Sequence, residues 1–244
     1  MYEGYNFIDS VRGKINKCYY NNHKNDKYDY LLFLLKRKDV YESKLTAIVR
    51  IIGIKYFNKF EEPLSKELLL ILKKGCPLYT KIEIQKVLSA GTKHTAILLI
   101  SELGKIGNNQ YLKVPMKTSK KSTYPIARDI CARILQKMDI IAVSEIYINI
   151  QQNNMNNSQK SESLDVLEYC IFHNSLLGTL NLLKVIVNET KSENILCKWK
   201  AIRALSAFKN NDFVISYLEY LYTKEESEGI INEIKRSIRF VKIK

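Results

Sequence analysis

Residues 124–139 read YPIARDICARILQKMD. The apolar positions are Ile126, Ala127, Ile130, Cys131, Ile134, Leu135 and Met138. They recur at intervals of one, three and four, which lays a single stripe along a helix of about 3.6 residues per turn. Pro125 suits the first turn of such a helix, where a missing N–H removes no hydrogen bond. Two more windows carry the same stripe. In NNDFVISYLEYLYTKEE it is Phe213, Val214, Tyr217, Leu218, Leu221 and Tyr222. In EGIINEIKRSIRFVKIK it is Ile230, Ile231, Ile234, Ile238 and Val241. No stretch of similar length alternates with period two, so the pattern predicts an all-α chain of about 12–13 helices.

The helices echo one another. A basic residue is followed by a small or apolar residue three later, then by a large aliphatic four after that. Lys44–Ala47–Ile51, Lys81–Ile84–Leu88, Arg128–Cys131–Leu135 and Lys198–Ala201–Leu205 fit, with weaker copies at Ser163–Val166–Cys170 and Lys235–Ile238. Copies spaced by roughly 32–37 residues have the length of a helix-pair repeat. The register breaks near Leu103–Gly104.

Composition agrees. The 244 residues are 46% apolar and 26% charged, enough to bury a sizeable core. Nine Gly and four Pro are few turn formers for this length, which favours helices joined by short polar loops. The first residues, MYEGYNFIDSVRGKINKC, lack the apolar core of a secretory signal, and no run is long enough for a membrane helix. The five cysteines are odd in number and far apart, and they read as reduced core thiols of a cytoplasmic protein.

Three segments resemble a known family. ISELGKIGNNQYL (100–112) is similar to the end of the second helix in HEAT-like repeats of the phycocyanobilin-lyase type. YPIARDICARILQKMDIIAV (124–143) resembles the run that follows, with Pro125, Arg128, Cys131, Leu135 and Asp139 at matching places. KWKAIRALSAFKNNDFVISYL (198–218) resembles the same unit, with Lys198, Ala201, Leu205 and Asn210. The resemblance implies an α-solenoid of stacked antiparallel helix pairs, a HEAT/ARM-like superhelix, whose concave face docks a partner. It implies no lyase activity. The expected organisation is N-terminal capping helices over 1–38, a basic repeat block over 39–150, a polar loop over 151–162 and a C-terminal block over 163–244.

Chemistry is sparse. Cys170 and His173 share a helix face, but no second pair completes a metal site, so no metal or cofactor is expected. No phosphate loop, nucleophile elbow or paired-carboxylate motif occurs. The alkylpurine DNA glycosylases built on HEAT-like repeats need a carboxylate with aromatic and basic side chains on the concave surface. Here the single Trp, Trp199, is followed four residues later by Arg203 instead of an acid.

Charge is uneven. Of the net +14, all lies in residues 1–138, with 26 Lys and Arg against 12 Asp and Glu; residues 139–244 carry 13 of each. Between Lys105 and Lys137 eight basic residues face one acid, Asp129, which reads as a first-turn acid of the helix that follows. The stretch GNNQYLKVPMKTSKKSTYPIAR (107–128) has three readings: a solvated inter-helix loop, a short helix stopped before Pro115, or a surface tracking phosphates. In the last, Lys105, Lys113, Lys117, Lys120, Lys121, Arg128, Arg133 and Lys137 supply charge, and Tyr111 and Tyr124 supply rings for stacking. A bias toward Lys, Asn, Ile and Tyr, as in AT-rich coding, would raise Lys without any such role. The basic residues of KRSIRFVKIK are placed on the polar side of the last helix. The sequence thus leads to a non-enzymatic repeat scaffold for a macromolecule, with a protein partner favoured and a nucleic-acid-binding or repair protein as the alternative.

Overall fold

The computed structural model describes residues 15–37, 40, 42–119 and 126–242. Among them the regular structure is helical: α1 (Lys17–His23), α2 (Tyr28–Lys36), α3 (Glu42–Tyr56), α4 (Glu61–Lys74), α5 (Leu78–Ser89), α6 (Lys93–Ser101), α7 (Ile130–Met138), α8 (Ile140–Gln151), α9 (Asn157–His173), α10 (Leu180–Glu189), α11 (Ile195–Leu205), α12 (Asp212–Lys224) and α13 (Glu228–Val241). None of these helices is long and apolar enough to cross a membrane.

The polar residues that dilute the hydrophobic pattern start the helices. Asn16, Asp129, Asn156, Thr179, Asn194 and Asn211 each accept a backbone N–H of the following first turn. An uncapped first turn would leave those donors unpaired. At α9 the box is reciprocal, since Gln159 also accepts from the Asn156 backbone. The stretch expected as a loop over 151–162 is therefore only a short connection. Asn156 ends it, and residues 157–162 are already helix.

The chain divides into two compact units, residues 1–98 and 99–244. In the first, α1, α2 and α5 pack on α3. Arg50 and Glu83 meet there in a buried bidentate pair, at 2.9 and 2.7 Å. In the second unit, α7 packs on α9, α9 on α11 and α11 on α13, while α8, α10 and α12 each pack on the helix that follows. The repeated triplets fall on α3, α5, α7, α9, α11 and α13, except that Arg128 lies just ahead of α7. Ala47, Ile51, Ile84, Leu88, Cys131, Leu135, Val166, Cys170, Ala201 and Leu205 are all buried in those contacts. The last copy slips. Ile238 is only half-buried, and Ser237 turns inward instead, donating to the Ile202 carbonyl at 3.2 Å.

Two helix readings shift at their edges. The stripe at 126–138 begins its helix at Ile130, because Asp129 is the cap. Ile126 is 65% exposed, while Pro125 lies outside the described residues. In α12 only Val214 and Leu218 of the expected stripe are buried. Of the thiols, Cys131, Cys170 and Cys197 are buried, but Cys18 is exposed. Cys170 and His173 do not converge. The thiol points to the Gln136 carbonyl at 3.9 Å, and the imidazole lies against Tyr169 and Phe172.

Candidate binding cleft

Glu162, Asp165 and Glu168 on α9 are spaced by three, which sets them along one helix face. That face meets α11, which presents Trp199, Lys200 and Arg203, and α11 meets α13, which presents Glu233 and Arg236. All eight side chains are buried. Burying a charge is costly unless it is paired, and here pairing is dense. Lys200 Nζ lies 2.7 Å from Glu162 and 3.0 Å from Asp165. Arg203 bridges Asp165 at 2.8 Å and Glu168 at 2.6 Å. Arg236 pairs with Glu233 at 2.8 Å, one turn away on its own helix. The placement of Arg236 on the polar side of the last helix is thereby corrected, because Glu233 compensates its charge inside.

The network holds four carboxylates against three cations, and Glu162 Oε2 and Glu168 Oε1 are buried without a hydrogen-bond partner. Burial, with Asp165 adding like charge, pushes both Glu162 and Glu168 up to about 7, against the pull of Lys200 and Arg203. Burial also works against the Lys200 ammonium, but Asp165 and Glu162 outweigh it and hold its pKa above the usual value. The sign for stability follows from the raised acids. Below the unfolded value of 4.5 both states are protonated, and no penalty exists. As pH rises toward about 7 the folded state must either hold a proton or bury another negative charge, and stability falls. One such acid shifted from 4.5 to about 7 corresponds to a loss on the order of 3 kcal/mol. Urea denaturation should therefore give a higher unfolding free energy at about pH 5.5 than at pH 8, and Glu162→Gln with Glu168→Gln should flatten the difference. Lower stability at the acidic end would refute the raised values.

The connection between α6 and α7 crosses this face. Residues 102–119 form turns and bends with no helix, which removes the short-helix reading of that stretch. Its start is pinned by Asp129, which is fully buried. Oδ1 caps α7, and Oδ2 accepts from the Gly104 N–H at 3.1 Å and the Gln110 amide at 2.8 Å. Gly104 has φ +76°, and a Cβ there would stand 2.0 Å from Ser158 Oγ, so glycine alone fits without displacement. Farther on, Tyr111 meets Trp199 edge-on with ring centres 5.0 Å apart, and the Arg128 guanidinium lies 3.8 Å over the Tyr111 ring. The crossing ends on α13, where Asn232 donates to the Met116 carbonyl at 3.0 Å and Pro115 closes on Gly229.

Between loop and helices remains a cleft of about 360 Å³. Tyr111, Lys117, Arg128, Asp165, Trp199 and Arg236 are among its walls. Three residues expected at a binding surface thus meet here: Tyr111, Lys117 and Arg128. Lys105, Lys113 and Lys137 are exposed but do not line the cleft. Arg133 is half-buried, and its Nε donates to the Ala127 carbonyl, so it serves the fold. Lys120, Lys121 and Tyr124 lie outside the described residues. Tyr111 is not an open stacking platform, since Arg128 already covers a ring face.

Sequence reading gave Asp165, Glu233 and Arg236 no site role, and it weighed Trp199 and Arg203 only against glycosylase chemistry. The usable signal was the three-residue spacing of acids inside a polar stretch, with the single Trp beside two cations. The carboxylate that glycosylase chemistry would need beside Trp199 does exist, supplied by α9 across the helix contact. Asp165 is fully engaged, however, with Oδ1 on Arg203 and Oδ2 on Lys200. The cleft's acids, Asp165 and Glu233, are outnumbered by Lys117, Arg128, Arg203 and Arg236, so its field favours an anion over a cationic base. No protein-family model matches the chain, and no curated protein matches it.

Proposed function

We propose that this chain is a non-enzymatic α-solenoid of HEAT-like helix pairs that binds nucleic acid through the face carrying α9, α11, α13 and the crossing loop. The observation that supports this reading most is the division of labour among its charges. Interior cations are matched to carboxylates, as Lys200 and Arg203 are. Along the crossing loop, Lys105, Lys113, Lys117 and Arg128 are exposed, and among the described residues no carboxylate pairs with them. The single acid of that zone, Asp129, is withdrawn into the interior as a helix cap. An exposed positive strip without local compensation attracts phosphates. Contacts of this kind are tolerant of sequence, because they read the backbone and not the bases.

Four phosphate contacts predict a slope of log K against log salt of about −3.6 on duplex DNA. Lys113→Ser with Lys117→Ser should flatten it by roughly 1.8 while leaving the melting temperature nearly unchanged, since exposed lysines add little to folding. Absence of binding at micromolar protein and about 50 mM salt would overturn the reading. A protein partner is the second reading, and it has its own observation. Ile140 and Leu176 are 61% and 87% exposed around one apolar surface that Val143, Ile148 and Leu182 continue. Exposed apolar patches of this kind mark protein contacts, and a failed nucleic-acid measurement would leave that face as the better candidate.

A further inference from the structure

We infer that the cleft under the crossing loop is a nucleotide site, which takes one unpaired nucleotide of a bound strand. The inference rests on the nucleic-acid reading above and names what enters the cleft. Size comes first. At about 360 Å³ the cavity lies near the lower end of ligand pockets, which accommodates one nucleotide and excludes a stacked run. Its chemistry is two-sided. Ile126, Ala127, Pro115 and Trp199 form an apolar wall, and Arg128 and Lys117 stand at a basic one. A ligand that satisfies both has an aromatic end and an oxyanion end.

The donors are placed for that ligand. Arg128 is held by its stack on Tyr111, 3.8 Å from the ring centre, which orders the side chain before binding. Among the described residues no carboxylate occupies its fork, and a guanidinium fork matches the paired oxygens of a phosphate. Trp199 is only 3% exposed, yet its indole N–H has no hydrogen-bond partner among the described residues while the side chain lines the cleft. An indole N–H is a donor only, so a base or phosphate oxygen in the cleft can accept from it. The acids do not oppose the ligand. Asp165 and Glu233 are each neutralised by an arginine within 2.8 Å.

Trp199 is the only Trp of the chain, so its fluorescence reports on the cleft directly. The full chain is titrated with adenosine 5′-monophosphate, with inorganic phosphate, with adenosine, and with a short single strand and its duplex. The monophosphate should shift Trp199 emission saturably, binding at least about tenfold tighter than phosphate or adenosine, because neither half reaches both walls. Arg128→Gln should weaken it about tenfold. The variant should melt like the parent, since Arg128 is exposed. The single strand should produce the same emission shift, and the duplex should not. Duplex and strand binding with the expected salt slope, but no Trp199 response and no monophosphate binding, would overturn the nucleotide site and leave the nucleic-acid reading standing. Equal affinity for phosphate and monophosphate would also overturn it, reducing the cleft to an anion pocket. Monophosphate binding without strand binding would keep the nucleotide site but sever it from nucleic acid.

Discussion

Arg203→Met is expected to destabilise the second unit by about 3–5 kcal/mol, the usual consequence of removing one partner from a buried ion pair. Arg203 lies inside the α9–α11 contact and bridges two carboxylates, Asp165 at 2.8 Å and Glu168 at 2.6 Å. Its loss leaves Glu168 without any cation and Asp165 with Lys200 alone. The interior already carries one more carboxylate than cations, so the variant would have to protonate or unfold. An exposed ion pair broken in the same way costs at most about 1 kcal/mol, which makes the two cases easy to separate. Urea denaturation followed by Trp199 fluorescence and by circular dichroism measures the difference. Adding Glu168→Gln to the variant should recover part of the loss, because the uncompensated charge goes with the carboxylate. A single variant within about 0.5 kcal/mol of the parent would mean that water, and not Arg203, satisfies Glu168.

Ala201→Glu should be at least as severe. Ala201 has no exposed surface and sits on α11, which is packed by α9, α10 and α13. A longer side chain there forces overpacking of about 1–3 kcal/mol, and the buried carboxylate adds several more. No cation is spare to receive it, since Lys200 and Arg203 are committed to α9. We expect a chain that is unfolded or aggregated near 37 °C. Ile195→Glu provides the control on the same helix. Ile195 is 45% exposed in the first turn, where a negative charge is favoured by the helix dipole. That variant should stay within about 0.5 kcal/mol of the parent. If both variants melt alike, α11 does not present Ala201 to its neighbours.

The sequence by itself determined what local chemistry determines. A stripe at intervals of three and four can bury only as a helix, and an Asn ahead of it caps the first turn wherever the chain goes next. The triplets centred on Ala47, Ile84, Cys131, Val166 and Ala201 pick out the helices that stack on one another, because close helix packing selects a small or apolar residue at that position. Only the tertiary structure decided the rest. Residues 157–163 look like a polar loop, and Glu162, Asp165 and Glu168 look solvated. Their burial depends on Lys200 and Arg203, 35 to 38 residues farther along. Tyr111 reads as one ring in a basic run, yet it closes on Trp199 only because Asp129 holds the crossing loop down. Such pairings have no period and no fixed spacing. Coulomb energy and close packing depend on distance in space, and that distance exists only after the helices have stacked.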